Sequence, residues 1–144
     1  MARLEKSIVI NAPVEKVFAY VREPASEPEW MPGMVEVGDV VQTKEGVGSH
    51  YRFTYSLAGL LFRGESRTIE YVPNRRIVTQ SKGGIESLWT WTFEPHGGGT
   101  KLSVVVEYTV PIPVLGKLAE AVVHRQNERE ADLAMTNIKT RLEA

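Results

Sequence analysis

The side chains with most to offer a ligand are aromatic. Tyr51, Phe53 and Tyr55 alternate along one segment and Trp89 and Trp91 along another, with Trp30 and Phe62 near the expected rim. Tyr and Trp join a large apolar body to one polar handle, which suits a pocket that both buries and orients a small molecule. The same residues would equally fill a core beneath a helix, and alternation alone leaves both readings open.

A second set lies near the C-terminus. Leu142, Ile138, Met135 and Ala131 recur at i, i+3/i+4 spacing, the signature of one helix face. Continued toward the N-terminus, this stripe meets Glu128 or Asn127, then His124, then Glu120 or Ala121. A stripe that turns from apolar to polar is either leaving the core or placing polar groups over a cavity. Leu115, Leu118, Ala119 and Val122 stand ready to take over the buried face in the first case. In the second, His124 would suit proton transfer or hydrogen bonding to a ligand. It is the catalytic candidate on this helix, with Tyr51 and Tyr55 as further groups that could move protons.

Other chemistries find less support. His124 shares a face with Glu120 and Glu128, but a metal needs three or four convergent ligands, and Arg125 and Arg129 make the stretch an ordinary ladder of solvated charges. No metal and no cofactor are expected. His96-Gly97-Gly98-Gly99 resembles the oxyanion loop of some esterases, yet no G-x-S-x-G elbow accompanies it. Gly46-Val47-Gly48 is followed by a strand and lacks the Lys-Ser/Thr of a phosphate loop. Arg63, Glu65, Arg67 and Glu70 sit on one predicted strand. Arg67 would meet a ligand carboxylate if buried, and is expected instead to be exposed in a cross-strand ion pair.

Composition narrows the class. The 144 residues carry a net charge of −1, so no overall field draws nucleic acid or anionic lipid. There is no cysteine, which removes disulfide, thiolate and cysteine–zinc chemistry. Neither a signal-like apolar run at the start nor a membrane-spanning stretch is found. A cytoplasmic protein of one domain, residues 1–144, is expected, as monomer or homodimer.

The elements that must position these side chains follow from periodicity. Leu4 to Asn11 alternates as a strand. Pro13 then opens a helix over about 13–22, carried by Val14, Val17, Phe18 and Val21 at helical spacing and stopped by Pro24. Glu27 to Trp30 adds a further turn. From Val35 to Val110 strands alternate with turn signals: Val35–Thr43, Val47–Leu57, Leu61–Val72, Ile77–Ser81, Ile85–Glu94 and Lys101–Val110, with Pro95 to Gly99 as a hairpin loop. Tight hairpins make the seven-stranded sheet antiparallel. Val114 to Glu143 reads as a helix of about 45 Å at 1.5 Å per residue, long enough that it must lie across the sheet.

This order resembles the START-like superfamily, also called SRPBCC or Bet v 1-like. The likeness is carried by Ile10-Asn11-Ala12-Pro13-Val14-Glu15-Lys16-Val17-Phe18, Glu29-Trp30-Met31-Pro32, Glu45-Gly46-Val47-Gly48-Ser49, Ile69 through Ile77, and Asn137 through Glu143. It spans nearly the whole chain and is nearest to the bacterial polyketide cyclase/dehydrase and lipid-transport group. The resemblance implies an α+β helix-grip fold, with a seven-stranded antiparallel sheet wrapped around a long C-terminal helix and two short helices after the first strand. It also implies a hydrophobic ligand cavity between sheet and helix. Trp30, Tyr51, Phe53, Tyr55, Phe62, Trp89, Trp91, His124 and Met135 are the expected wall. The expected function is to carry or sense a hydrophobic or amphipathic molecule, with no nucleic acid partner. A metal-free cyclase/dehydratase using the same cavity, and a protein-interaction module, are the alternatives.

Overall fold

The structure, a computed structural model, describes residues 2–57, 59–83, 85–109 and 120–144. Strand β1 (Ala2–Ile10) leads into α1 (Val14–Arg22), a 3-10 turn (Pro24–Ser26) and the single-turn α2 (Glu27–Trp30). Six strands follow: β2 (Met34–Val41), β3 (His50–Leu57), β4 (Leu60–Val72), β5 (Arg76–Lys82), β6 (Ser87–His96) and β7 (Gly99–Tyr108). The last described element is α3 (Glu120–Glu143). All seven strands form one antiparallel sheet in the order β1-β7-β6-β5-β4-β3-β2. The two short helices carry the chain from one edge strand to the other.

Local chemistry explains where the elements stop. Pro13 stands just before α1 rather than in its first turn, and its carbonyl accepts the amides of Lys16 (3.0 Å) and Val17 (3.1 Å). Ser26 lies buried in the next turn. Its hydroxyl is 2.7 Å from the carbonyls of Tyr20 and Glu23, and accepts the Trp30 indole N–H at 3.1 Å. A three-residue element therefore sets the angle at which Trp30 enters the core.

β3 starts at His50, three residues later than the alternation predicts. Gly46 and Gly48 have φ of 86° and 88°, a left-handed backbone that ends the strand pattern there. A Cβ at Gly46 would collide with the Tyr71 ring. β6 begins at Ser87 instead of Ile85 and runs through Pro95 to His96, so the expected loop from Pro95 to Gly99 shrinks to the pair Gly97-Gly98. Both have positive φ (54° and 86°), as a two-residue type I′ hairpin demands. Of the predicted C-terminal helix, residues 114–119 lie outside the described residues.

The inner face of the sheet meets α3. Ala131, Ala134, Met135, Ile138 and Leu142 of the helix share one buried cluster with Ile10, Phe93 and Leu102 of the sheet. Phe18 from α1 joins it edge-on to Phe93 and Tyr71, at 5.0 and 5.3 Å between ring centroids. Polar ties hold the helix end in place. Lys139 donates to the Val9 carbonyl (2.8 Å), Asn137 to that of Trp30 (3.1 Å), and Glu143 accepts the Asn11 amide (2.7 Å). Register irregularities in β2 and at Thr68/Glu70 of β4 are bulges, which bend and twist a sheet locally.

Candidate functional site

Between the sheet and the N-terminal half of α3 lies a cavity of about 110 Å³, and its origin can be read from one row of the sheet. Tyr51 of β3 pairs with Ser66 of β4, Ser66 with Ser81 of β5, Ser81 with Ser87 of β6, and Ser87 with Tyr108 of β7. Side chains at paired positions share a face. Five strands thus put five hydroxyls in line, and the middle three belong to the small side chain serine. Ser66, Ser81 and Ser87 leave unfilled the space a large apolar residue would take. Ser81 and Ser87 bond to each other, Ser81 reaches the Ile85 carbonyl (2.9 Å), and the Trp89 indole N–H donates to Ser87 (3.0 Å).

The side wall is aromatic. Trp89 and Trp91 stack with centroids 5.9 Å apart and 18° between planes, and Trp30 meets Trp91 edge-on at 5.6 Å and 85°. Phe53 and Tyr55 continue the wall from β3, and Met31 and Met34 complete it beside α2.

Two carboxyl groups face this space, each holding a tyrosine. Glu27 opens α2 and accepts the Tyr51 hydroxyl at 2.6 Å. Burial pushes its pKa up from 4.5 to about 7, the Tyr51 hydrogen bond opposing the rise. Tyr51 is itself raised, by burial first and by the Glu27 charge next, with Ser66, its partner across β3 and β4, opposing the rise. Glu130 of α3 accepts the Tyr55 hydroxyl, and burial raises its pKa against the pull of Tyr55 and Gln126. Tyr55 is raised by burial and by Glu130. A smaller cavity of about 60 Å³ lies behind the first, and Glu27, Tyr51, Thr79 and Trp91 border both.

Tyr51, Phe53, Tyr55, Trp89 and Trp91 are brought together around the larger cavity. Trp30 sits in the core instead of at the rim, only 3% exposed, and borders the smaller cavity. Met135 is packed in the cluster under the C-terminal half of α3. Phe62, half-buried, pairs with Tyr55 across β3 and β4 and does not border the larger cavity. Nor does His124, whose Nδ1 lies 2.6 Å from the Tyr108 hydroxyl and whose Nε2 is 3.7 Å from Glu128. Through Tyr108, it stands one side chain away from the lining. Arg67 is half-exposed as expected, but its ion pair is with Glu65 (3.1 Å), two residues away on β4 itself, and not across strands.

Glu27, Glu130 and the serine row were not singled out from sequence. Glu27 opens the expected turn over 27–30, and no local pattern marks Glu130. A signal did exist for the row, since serine at the inward position of three successive strands is unusual for a packed core. Using it requires the register between strands, which alternation within each strand does not supply. Among the described residues no three His, Asp or Glu side chains converge as metal ligands would.

A helix-grip sheet with a cavity under its long helix defines a class, and the family comparison agrees with it. The chain belongs to the family described as polyketide cyclase / dehydrase and lipid transport, whose model matches residues 1–143. No curated protein matches it. Solved structures of the same fold include TTHA0849 from Thermus thermophilus, with a TM-score of 0.83, 21% identity, and coverage of 98% of this chain and 97% of that one. The Zhui aromatase/cyclase from Streptomyces sp. R1128 gives 0.80 at 14% identity, covering 99% and 93%. Ara h 8.0201 gives 0.68 at 16% identity, covering 98% and 97%. At such identities the likeness shows the fold, and the expected START-like, Bet v 1-like architecture is the one present. No described helix is long and apolar enough to cross a membrane.

Proposed function

We propose that the protein binds a small amphipathic molecule in the cavity between sheet and α3, its apolar body against Trp89 and Trp91 and its polar end toward the tyrosine–carboxyl pairs. The observation that carries this reading is the cavity itself, roomy beside one aromatic wall and floored by hydroxyls. A hydrophobic core that served stability alone would fill that space, because empty volume costs about 24 cal/mol per Å³. The size suits a ligand of on the order of ten heavy atoms, as a water needs about 10–15 Å³ on the same measure.

A cyclase or dehydratase function in the same cavity is the second reading. What favours it is Glu27, a half-buried residue whose desolvated carboxyl has a pKa of about 7 and accepts a hydrogen bond from a phenol, the setting of a group able to exchange protons at neutral pH. Membership of a family described by cyclase and dehydrase activity supports it as well.

One experiment addresses both. Native mass spectrometry before and after denaturation should release a small, non-covalently held molecule, and titration of that molecule into apo protein should quench tryptophan fluorescence. Trp89→Ala should weaken its binding about tenfold by removing a stacked wall. Unaltered affinity in that variant would remove the cavity from the function. Turnover of a poly-β-ketone by the wild type, with loss in Glu27→Gln, would decide for the enzyme.

A further inference from the structure

The charged groups among the described residues that line the cavity are of one sign. Glu27 and Glu130 border it, and among its described lining residues there is no Lys, Arg or His. Tyr51 and Tyr55 already give their protons to Glu27 and Glu130, and the Trp89 N–H is taken by Ser87. The two carboxylates can accept further hydrogen bonds, about four each in all, while the Trp91 N–H and the Ser66 and Thr79 hydroxyls stand in the same lining as donors. Asn127 is the one amide donor in the described lining. The wall is a stacked tryptophan pair, an apolar surface on which an aromatic ring can lie.

We propose that the ligand is an organic cation, an arylalkyl ammonium of about ten heavy atoms. Its ring would lie on Trp89 and Trp91, and its ammonium N–H groups would reach the carboxylates of Glu27 and Glu130. This rests on the binding reading above and names the ligand class for that cavity. A neutral molecule would give the ionised carboxylates no counter-charge, and an anion would face like charge wherever they are ionised. A cation answers both. It also favours the ionised form of Glu27, whose burial otherwise favours the protonated one.

The test compares three soluble probes of nearly equal size: phenethylammonium, 2-phenylethanol and phenylacetate. Each is titrated into the apo protein, read by tryptophan fluorescence and calorimetry. Phenethylammonium should bind at least tenfold more tightly than 2-phenylethanol, with phenylacetate weakest. Glu27→Gln and Glu130→Gln should each cut the ammonium-to-alcohol ratio by about tenfold, and two separate variants guard against one failing to fold. Between pH 6 and 8 the ammonium affinity should rise several-fold as Glu27 ionises. The titratable and charged groups around Glu27 are Tyr51 on β3, Tyr71 on β4, Arg22 and Glu23 across the smaller cavity, and Glu130 on α3. The pH response should therefore vanish in Glu27→Gln and survive in Glu130→Gln. Equal or tighter binding of the alcohol or the carboxylate would overturn the cation and leave the cavity reading intact. Binding of none of the three, with no ligand released on denaturation, would sink both.

Discussion

The two halves of α3 lie over the same sheet and do opposite things. From Ala131 to Leu142 the helix buries an apolar stripe and is tied down at its edges through Asn137, Lys139 and Glu143. Nearer its N-terminus the face toward the sheet carries Asn127 and Glu130, with only Val123 fully buried among the described side chains before Ala131. The difference originates in the sheet. Under the C-terminal half it presents Ile10, Phe93 and Leu102, which fill the gap. Under the other half it presents Ser66, Ser81 and Ser87, which do not. Where the sheet stops short, the helix brings polar groups, and a cavity replaces a core. One element thereby serves as clamp at one end and lid at the other.

That contrast is open to direct attack. The largest effect belongs to the packed half. Ile138 is fully buried, and Ile138→Ala should cost about 2–5 kcal/mol in denaturant unfolding. A loss below about 1 kcal/mol would mean that this half, too, packs loosely.

The cavity under the polar half, which Glu27 of α2 borders, should respond in the other direction. A carboxyl raised from 4.5 to about 7 in the folded state binds its proton more tightly there than in the unfolded chain. Folded protein then holds more protons than unfolded between those two values, so its stability falls as pH rises across that window and levels off above it. Glu27→Gln should abolish this slope and, at pH 8, stabilise the apo protein by up to about 3 kcal/mol. At pH 4, where Glu27 is protonated in both states, the variant and wild type should nearly coincide. Paired urea titrations at the two pH values measure it, and a wild type whose stability is flat from pH 4.5 to about 7 would refute the buried carboxyl.

The smallest effect lies on the outer face of the sheet. Arg67 and Glu65 are both half-exposed, so Arg67→Ala should change stability by less than about 1 kcal/mol. It should leave ligand affinity unaltered, and a clear loss of affinity would bring that face into the site.

Much of this molecule was legible before its structure. Alternation in β3 put Tyr51, Phe53 and Tyr55 on one inward face, and that in β6 did the same for Trp89 and Trp91, because side-chain direction in a strand follows from spacing alone. Pro13, Pro24 and the glycine pairs marked where elements break, since their constraints are local. Strand ends were less legible. The sequence from Val47 to Ser49 alternates well enough, but two left-handed glycines and the contact of Gly46 with Tyr71 override it.

What the amino-acid sequence determined on its own was therefore the set of elements, their order, and which face of each is apolar, all properties of neighbours in the chain. Tertiary structure decided the rest. The serine row exists only because five strands pair in one register, and Glu27 meets Tyr51 across 24 residues of chain. Glu130, an ordinary helix charge by sequence, meets Tyr55 across 75. Burial and proximity raise a carboxyl or open a cavity, and both depend on distances through space that no local pattern encodes.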